Sequence, residues 1–323
     1  MPRSIVAACA AFTLALGVAG ARAQDASYPN KPVKLLIGFP PGGLLDTVSR
    51  IVGERMSGLL GQPLVVDARP GAGGLVATTA LVKSPPDGYT LMMVNDNHAL
   101  NPYILKEVPY DSVKDFAPIG FVGSTPLVFS AHPELGLKSM KDLVEMAKAK
   151  SGALTYGSVG PGSLPHLSTA LFTQAAGVKM NNVPYKGGAP ALNDLLGGHI
   201  NTMMMSLVVS KSHIDSGKLT PLAVAWKHRL EPLPNVPTMA EAGYPLDAAY
   251  WFGLMAPAGT PPAVVAKLEK ALADTVAQPE VRKRLADMGT LVTPMNAREF
   301  GAFIRSEMAK WKDAVSKANV KIE

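Results

Sequence analysis

Two stretches of this 323-residue sequence carry residue types that can hold an anion. In the first, Gly38-Phe39-Pro40-Pro41-Gly42-Gly43-Leu44-Leu45-Asp46 follows the apolar run Leu35-Leu36-Ile37. Beyond it, Val48, Ile51, Val52, Met56, Leu59 and Leu60 recur at three- and four-residue steps, the spacing of one apolar helix face. A glycine-bearing turn therefore meets a helix N-terminus, and Asp46 fits as its N-cap. The first backbone N–H groups of a helix lack partners inside it. With the aligned peptide dipoles, they offer about half a positive charge to an anion without any Lys or Arg. Geometry alone can also require such a turn, so a second one changes the balance. It is present: Thr155-Tyr156-Gly157-Ser158 reads as a strand end, Val159-Gly160-Pro161-Gly162-Ser163 as a glycine turn, and Leu164, Leu167, Leu171 and Phe172 as a helix face. Ser163 can cap that helix or offer its hydroxyl to a ligand. His166, one turn in, can face the same cleft or bond to a neighbouring loop.

Two such cradles suit a ligand with two acidic ends, or one acid group held from both sides. In open α/β sheets, ligands sit outside the carboxyl ends of the strands, where both turns would lie.

Other chemistry is weakly supported. The sequence has no G-x-S-x-G elbow, no H-E-x-x-H and no metal-spaced cluster, and its six histidines are scattered. A periplasmic hydrolase using Ser163 and His166 is the enzyme alternative. The run Gly71-Ala72-Gly73-Gly74 lacks the full dinucleotide spacing and the acidic residue about 20 positions on, so it reads as a close turn beneath Arg69 and Pro70. No cofactor is expected. Alternate residues of Met203-Met204-Met205 face opposite ways in a strand, so one or two of them can line a cleft.

The elements that must position these residues follow an α/β pattern. Strands are expected near 33–37, 64–66, 90–94, 119–122, 127–130, 154–158, 182–185, 201–205, 222–225 and 250–255. Helices are expected near 46–60, 73–83, 139–149, 163–176, 188–196, 209–216, 262–276, 279–288 and 296–318. The alternation implies largely parallel sheets flanked by helices. Ser139 with Asp142, Thr238 with Glu241, and Asn296 with Glu299 have capping-box spacing, and Pro261 and Pro262 suit a first helical turn. Ten strands exceed one compact sheet and argue for two lobes. No Ser-, Gly- or Pro-rich linker separates them, as expected if the chain crosses over and returns through short strands.

The first 23 residues read as an export leader: basic Arg3, an apolar stretch from Ile5 to Val18, and the cleavage site Ala21-Arg22-Ala23, with a mature chain from about Gln24. The apolar stretch is shorter than the ~20 residues that span a bilayer. Its removal takes away Cys9, the only cysteine, and lowers the formal charge from +6 to +4. With 17% charged residues and no basic run, nucleic acid is not an expected partner.

Across essentially the whole mature chain, the sequence resembles the periplasmic solute receptors of tripartite tricarboxylate transporters, often called Bug receptors. Phe39-Pro40-Pro41-Gly42-Gly43 with Asp46 and Arg50, Arg69-Pro70-Gly71-Ala72-Gly73-Gly74, Pro86-Asp87-Gly88-Tyr89-Thr90-Leu91, and His98-Ala99-Leu100-Asn101-Pro102 carry the likeness through the first third. Pro109-Tyr110-Asp111, Gly157 to Ser163 with His166-Leu167, and Val183-Pro184-Tyr185-Lys186-Gly187 continue it. Leu195-Leu196-Gly197-Gly198, Pro237-Thr238, Trp251-Phe252-Gly253-Leu254, and Pro257-Ala258-Gly259-Thr260-Pro261 complete it.

The resemblance implies a two-lobed Venus flytrap of the type II periplasmic-binding class, each lobe a mixed, mostly parallel sheet flanked by helices. It suggests residues 28–124 plus 253–323 as one lobe and 125–252 as the other. In such receptors backbone amides and ordered water at the two glycine turns grip a carboxylate. The expected ligand-binding residues are Pro41, Gly42, Gly43, Leu44, Leu45, Asn97, His98, Ser158, Gly160, Gly162, Ser163, His166, Met205 and Ser206. Met205 stands where many members carry an acid able to pair an ammonium, and Leu44-Leu45 replace small residues. Both departures point to a carboxylate with an apolar or aromatic body and no ammonium. Expected partners are the membrane components of such a transporter or a sensor kinase, with the receptor a monomer.

Overall fold

The computed structural model describes residues 28–318. The expected leader, with Cys9 and its cleavage site, lies outside them. Strand β1 (Val33–Ile37) buries Leu35 and Ile37 on one face and Leu36 on the other, the period of two that a sheet covered on both sides demands. It runs parallel to β2 (Leu64–Ala68) and β3 (Thr90–Asn95). Between them stand α1 (Leu44–Leu60) and α2 (Leu75–Val82), the latter preceded by a short 3₁₀ turn at Ala72–Gly74. The Gly71–Gly74 run has a steric role: a Cβ on Gly38 would lie 2.6 Å from the Gly74 Cα, so the β1 turn can touch this segment only through glycine.

The helix α3 (Asn97–Ile104) was not expected, because Pro102 lies inside it. Proline has no N–H to give the carbonyl of His98, but that carbonyl accepts the Ser112 hydroxyl at 3.1 Å instead. The lost bond is thus replaced from outside the helix.

The two strands expected at 119–122 and 127–130 are one, β4 (Phe116–Ala131). Gly123 and Pro126 mimic a break in sequence. In the fold, a Cβ on Gly123 would lie 2.4 Å from the Leu291 carbonyl oxygen. The missing side chain lets Leu291 exchange two backbone hydrogen bonds with Ser124, at 2.7 and 3.0 Å.

After β4 come α4 (Met140–Ala149), β5 (Thr155–Ser158), α5 (Leu164–Ala176), β6 (Asn181–Pro184), α6 (Gly188–Leu196), β7 (Thr202–Ser206), α7 (Leu207–Asp215) and β8 (Thr220–Ala225). Strand β9 (Ala249–Pro257) returns, followed by α8 (Pro262–Ala277), α9 (Pro279–Asp287) and α10 (Ala297–Ala318). The capping boxes form as the spacing predicts. Asn296 and Glu299 exchange bonds of 2.9 and 3.0 Å ahead of α10, and Ser139 accepts the Asp142 N–H at 3.2 Å. Thr238 and Glu241 make the same exchange around a turn rather than a helix.

One nine-stranded sheet results, ordered β2-β1-β3-β9-β4-β7-β5-β6, with β8 also on β4. The β1–β2–β3 and β5–β6–β7 groups are parallel, while β9 and β4 run antiparallel to their neighbours. Through residues 116–126, β4 pairs with β9; through 127–131 it pairs with β7 and β8. A single strand therefore serves both halves of a two-lobed molecule. Helix α10 also spans them. Phe300 and Ile304 pack with Leu36, Phe121 and Trp251, whereas Trp311 and Ala314 pack with Leu127, Phe129 and Phe172. Each fully buried side chain of this size contributes about 1.5–3 kcal/mol of transfer free energy.

Candidate functional site

The two glycine turns are built to the same plan. In the first, helix α1 begins at Leu44, and Gly43 is its N-cap, with no side-chain cap bond. Asp46 is therefore not the N-cap. It occupies the third helical position, where its carboxylate reaches back and accepts the Gly42 N–H at 2.9 Å. The same oxygen accepts Arg50 Nε at 3.0 Å. Arg50, then the Gly42 amide, holds the Asp46 carboxyl below the usual carboxylate range against the opposing effect of burial.

In the second turn Ser163 is the N-cap of α5, and His166 occupies the third position. Its Nδ1 accepts the Gly162 N–H at 3.1 Å, so the neutral ring carries its proton on Nε2. Burial pushes the His166 pKa down, which keeps Nδ1 an acceptor. Gly42 and Gly162 share left-handed backbone, φ +83° and +72°, which glycine adopts without strain. In both turns, then, a side chain one helical turn in pins the glycine just before the cap. The amides of the first helical positions are left without intrahelical acceptors.

The turns face one cleft of about 770 Å³. Of the residues expected to bind ligand, Pro41, Gly43, Leu44, Leu45, Asn97, Gly162, Ser163, Met205 and Ser206 line it. Gly42, His98, Ser158, Gly160 and His166 are outside its lining, each for a local reason. The Gly42 amide is taken by Asp46. The Gly160 carbonyl accepts the Ser163 hydroxyl at 2.7 Å, so that hydroxyl secures its own turn and does not cap the helix. Ser158 is fully buried at the end of β5. His98 sits in the core, its Nε2 bonded to the Ser112 carbonyl at 2.9 Å and its ring edge-on to Phe116; burial pushes its pKa down to about 4. Ser163 and His166 thus each bond to turn backbone, through the hydroxyl of one and Nδ1 of the other.

Met203, Met204 and Met205 all reach the cleft from the end of β7, although Met204 packs with one core cluster and its neighbours with another. Tyr250 and Phe252 of β9 and Val209 of α7 extend the apolar wall. Sequence reasoning missed Asp96, which follows β3 and is 1% exposed. Among the described residues it is the one charged side chain in the cleft lining. An acid between a strand end and an unexpected helix gives no sign in sequence that it is buried. Among the described residues no group of three or more His, Cys, Asp or Glu could hold a metal ion, and no helix is long and apolar enough to cross a membrane.

Comparison with known proteins places this geometry. Residues 48–320 match the model of the tripartite tricarboxylate transporter family receptor. Protein BugT of Bordetella pertussis is 35% identical over 325 residues, covering 99% of this chain and 98% of that one. Among solved structures, Rpa4515 of R. palustris with adipate is 33% identical, with a TM-score of 0.81 and coverage of 91% and 99% of the two chains. MatC of Rhodopseudomonas palustris with bound malate is 30% identical, with a TM-score of 0.76 and coverage of 89% and 100%. Periplasmic binding protein BugD is 33% identical, with a TM-score of 0.78 and coverage of 91% and 99%. With its paired glycine turns around one cleft, the chain belongs to the tripartite tricarboxylate transporter receptor family.

Proposed function

We propose that this protein is a periplasmic solute receptor that closes on a carboxylate ligand with an apolar or aromatic body and passes it, as a monomer, to the membrane components of a tripartite tricarboxylate-type transporter. One observation carries the reading: two helix N-termini, each with its preceding glycine amide pinned, face a cleft whose described lining contains no Lys, Arg or His. An anion there is met by backbone donors and the helix dipoles, which supply positive potential without a desolvated cation. Adipate in one structural relative and malate in another are both carboxylates, and adipate has an apolar chain between its acid groups.

The ligand body is chosen by the walls. Leu44, Leu45, Met205 and Phe252 reward apolar surface, at roughly 25 cal/mol per Å² buried. In this reading one lobe runs from 28 to about 124 and returns from about 253, and about 125–252 is the other, with the end of α10 packed across onto it, so donors from both lobes are satisfied together only when the cleft shuts. The ligand then binds the closed state better and shifts the population towards it.

A thermal-shift panel of adipate, hexanoate, benzoate, malate, aspartate and glutamate tests the reading. A ligand at 100 times its dissociation constant stabilises by about 2.7 kcal/mol. Shifts with aliphatic or aromatic acids are expected. Shifts confined to aspartate or glutamate refute the ligand class, and mass spectrometry of freshly purified protein reads any co-purified acid directly.

A further inference from the structure

Asp96 has no role in either turn, yet it is part of the cleft lining. It follows β3, whose residues pair with β1 on one side and β9 on the other, so it lies beside the first glycine turn and the returning strand. The side chain is 1% exposed, and its Oδ1 has no hydrogen-bond partner among the described residues. The charged and titratable groups around it do not satisfy that oxygen. Tyr250 faces it from β9, and Glu307 and Lys310 from α10, with Asp247 behind them. Lys310 is engaged by Glu307 at 2.5 Å and by the Asp247 carbonyl at 3.2 Å, and Glu307 also accepts Trp311 Nε1 at 3.1 Å. The local cation is therefore spent on other acceptors.

We propose that Asp96 binds the ligand as a neutral carboxylic acid, donating a hydrogen bond from its own O–H to an oxygen of the carboxylate ligand, so that binding is coupled to proton uptake. The proposal rests on the carboxylate-receptor reading and deepens it. An ionised Asp96 would set a second negative charge against the bound anion in a cleft lined by Leu, Met and Phe, where like charges repel strongly. A protonated one supplies a donor that the Leu and Met walls cannot. Burial, opposed by a hydrogen bond from its own backbone N–H and by Lys310 and reinforced by Glu307, raises the Asp96 carboxyl to about 7, so near neutral pH both forms are populated before ligand arrives. The bound anion favours the neutral form further. Electrically, a receptor without a cleft cation compensates part of the ligand charge with a proton instead.

The test uses the mature receptor with adipate, hexanoate and benzoate as probes, titrated calorimetrically between pH 6.5 and 9, where these acids are already ionised. Only the protonated fraction is competent, so the apparent dissociation constant should rise roughly 50-fold between pH 7 and pH 9. Buffers of different ionisation enthalpy should report proton uptake approaching one per ligand at pH 8. Asp96→Ala should weaken binding at pH 6.5 at least tenfold; Asp96→Asn, whose amide can donate, should recover part of that loss and abolish the pH slope. A flat wild-type profile without proton uptake overturns the proposal and leaves the carboxylate reading standing. Affinity that rises with pH, together with loss of binding in Asp96→Asn, also overturns it and shows that the ionised carboxylate is the form that binds. No binding of any probe at any pH overturns the carboxylate reading and this proposal together.

Discussion

The pinning of Gly42 by Asp46 offers a direct measure of how the first cradle is held. Asp46 is 4% exposed and makes two hydrogen bonds with one oxygen, to the Gly42 N–H at 2.9 Å and to Arg50 at 3.0 Å. A hydrogen bond to a charged group contributes about 1.5–3 kcal/mol net. The Arg50 side chain is 57% exposed, so solvent screening leaves that pair the lesser contribution. Gly42 is itself exposed, so water can reach its amide once the carboxylate is gone, and the low end of the range applies. Asp46→Ala should therefore cost about 2 kcal/mol. Asp46→Asn keeps a neutral acceptor for Gly42 and should cost about half as much, and Arg50→Gln should cost less than either. Urea denaturation reads these as shifts in midpoint at constant slope. The Asp46 carboxyl is lowered in the folded state, so its contribution is fully present above the unfolded carboxylate pKa and is lost as pH falls through the still lower folded value. The Asp46→Ala penalty should thus be level from pH 5 to 8 and shrink in stronger acid. Equal losses in Asp46→Asn, Arg50→Gln and Asp46→Ala would refute this account. They would mean that the Arg50 pair, which dominates the carboxyl's acidity, also dominates its stability.

Other outcomes follow from the same geometry. The His166 pKa is lowered in the folded state, so its bond to Gly162 is present above the unfolded imidazole pKa and is lost as pH falls through the folded value; the Gly162 amide resonance should titrate in acid while that of Gly42 stays put. His98, depressed to about 4, contributes stability that disappears as pH drops from about 6.5 to 4. Asp96, raised to about 7, contributes stability that is full below about 4 and lost as pH rises to 7. The two slopes oppose each other, so Asp96→Asn should leave a denaturation profile that falls more steeply in acid than the wild type's. In Gly253→Ala the new Cβ would lie 2.1 Å from the Phe300 ring, and the overpacking should cost about 1–3 kcal/mol or more in a denaturant melt. Met205→Asp should weaken benzoate binding at least tenfold, the direction expected when a charge replaces an apolar cleft wall; unchanged affinity would remove Met205 from the site.

Local pattern was the readable layer. Strand β1 spans the expected 33–37, and α1, α5 and α8 lie within two residues of their expected starts because periodicity and glycine or proline punctuation agree. The break between 122 and 127 was misread because Gly123 and Pro126 suit both a turn and a strand, and only the approach of Leu291 decides between them. Helix α3 was hidden because the Ser112 hydroxyl that tolerates Pro102 comes from outside it. At the site, sequence placed both glycine turns but not their internal bonds. Asp46 at a cap and Asp46 one turn inside differ by a backbone dihedral, not by a residue type. Asp96 was illegible for a stronger reason: burial belongs to the packed molecule.

The continuous strand β4 has a mechanical consequence. Where the chain passes between the two halves, Ser124, Thr125 and Pro126 are opposite Trp251, Tyr250 and Ala249 in an antiparallel pair, and Leu291 is bonded to Ser124 alongside. A hydrogen-bonded ribbon hardly stretches and resists shear, because either would break its ladder, but it twists readily. A relative movement of the halves would therefore be channelled into rotation about the ribbon, as in a torsion bar. Tyr250, on that ribbon and in the cleft wall, turns with it. Any such rotation would therefore reshape the cleft wall at Tyr250.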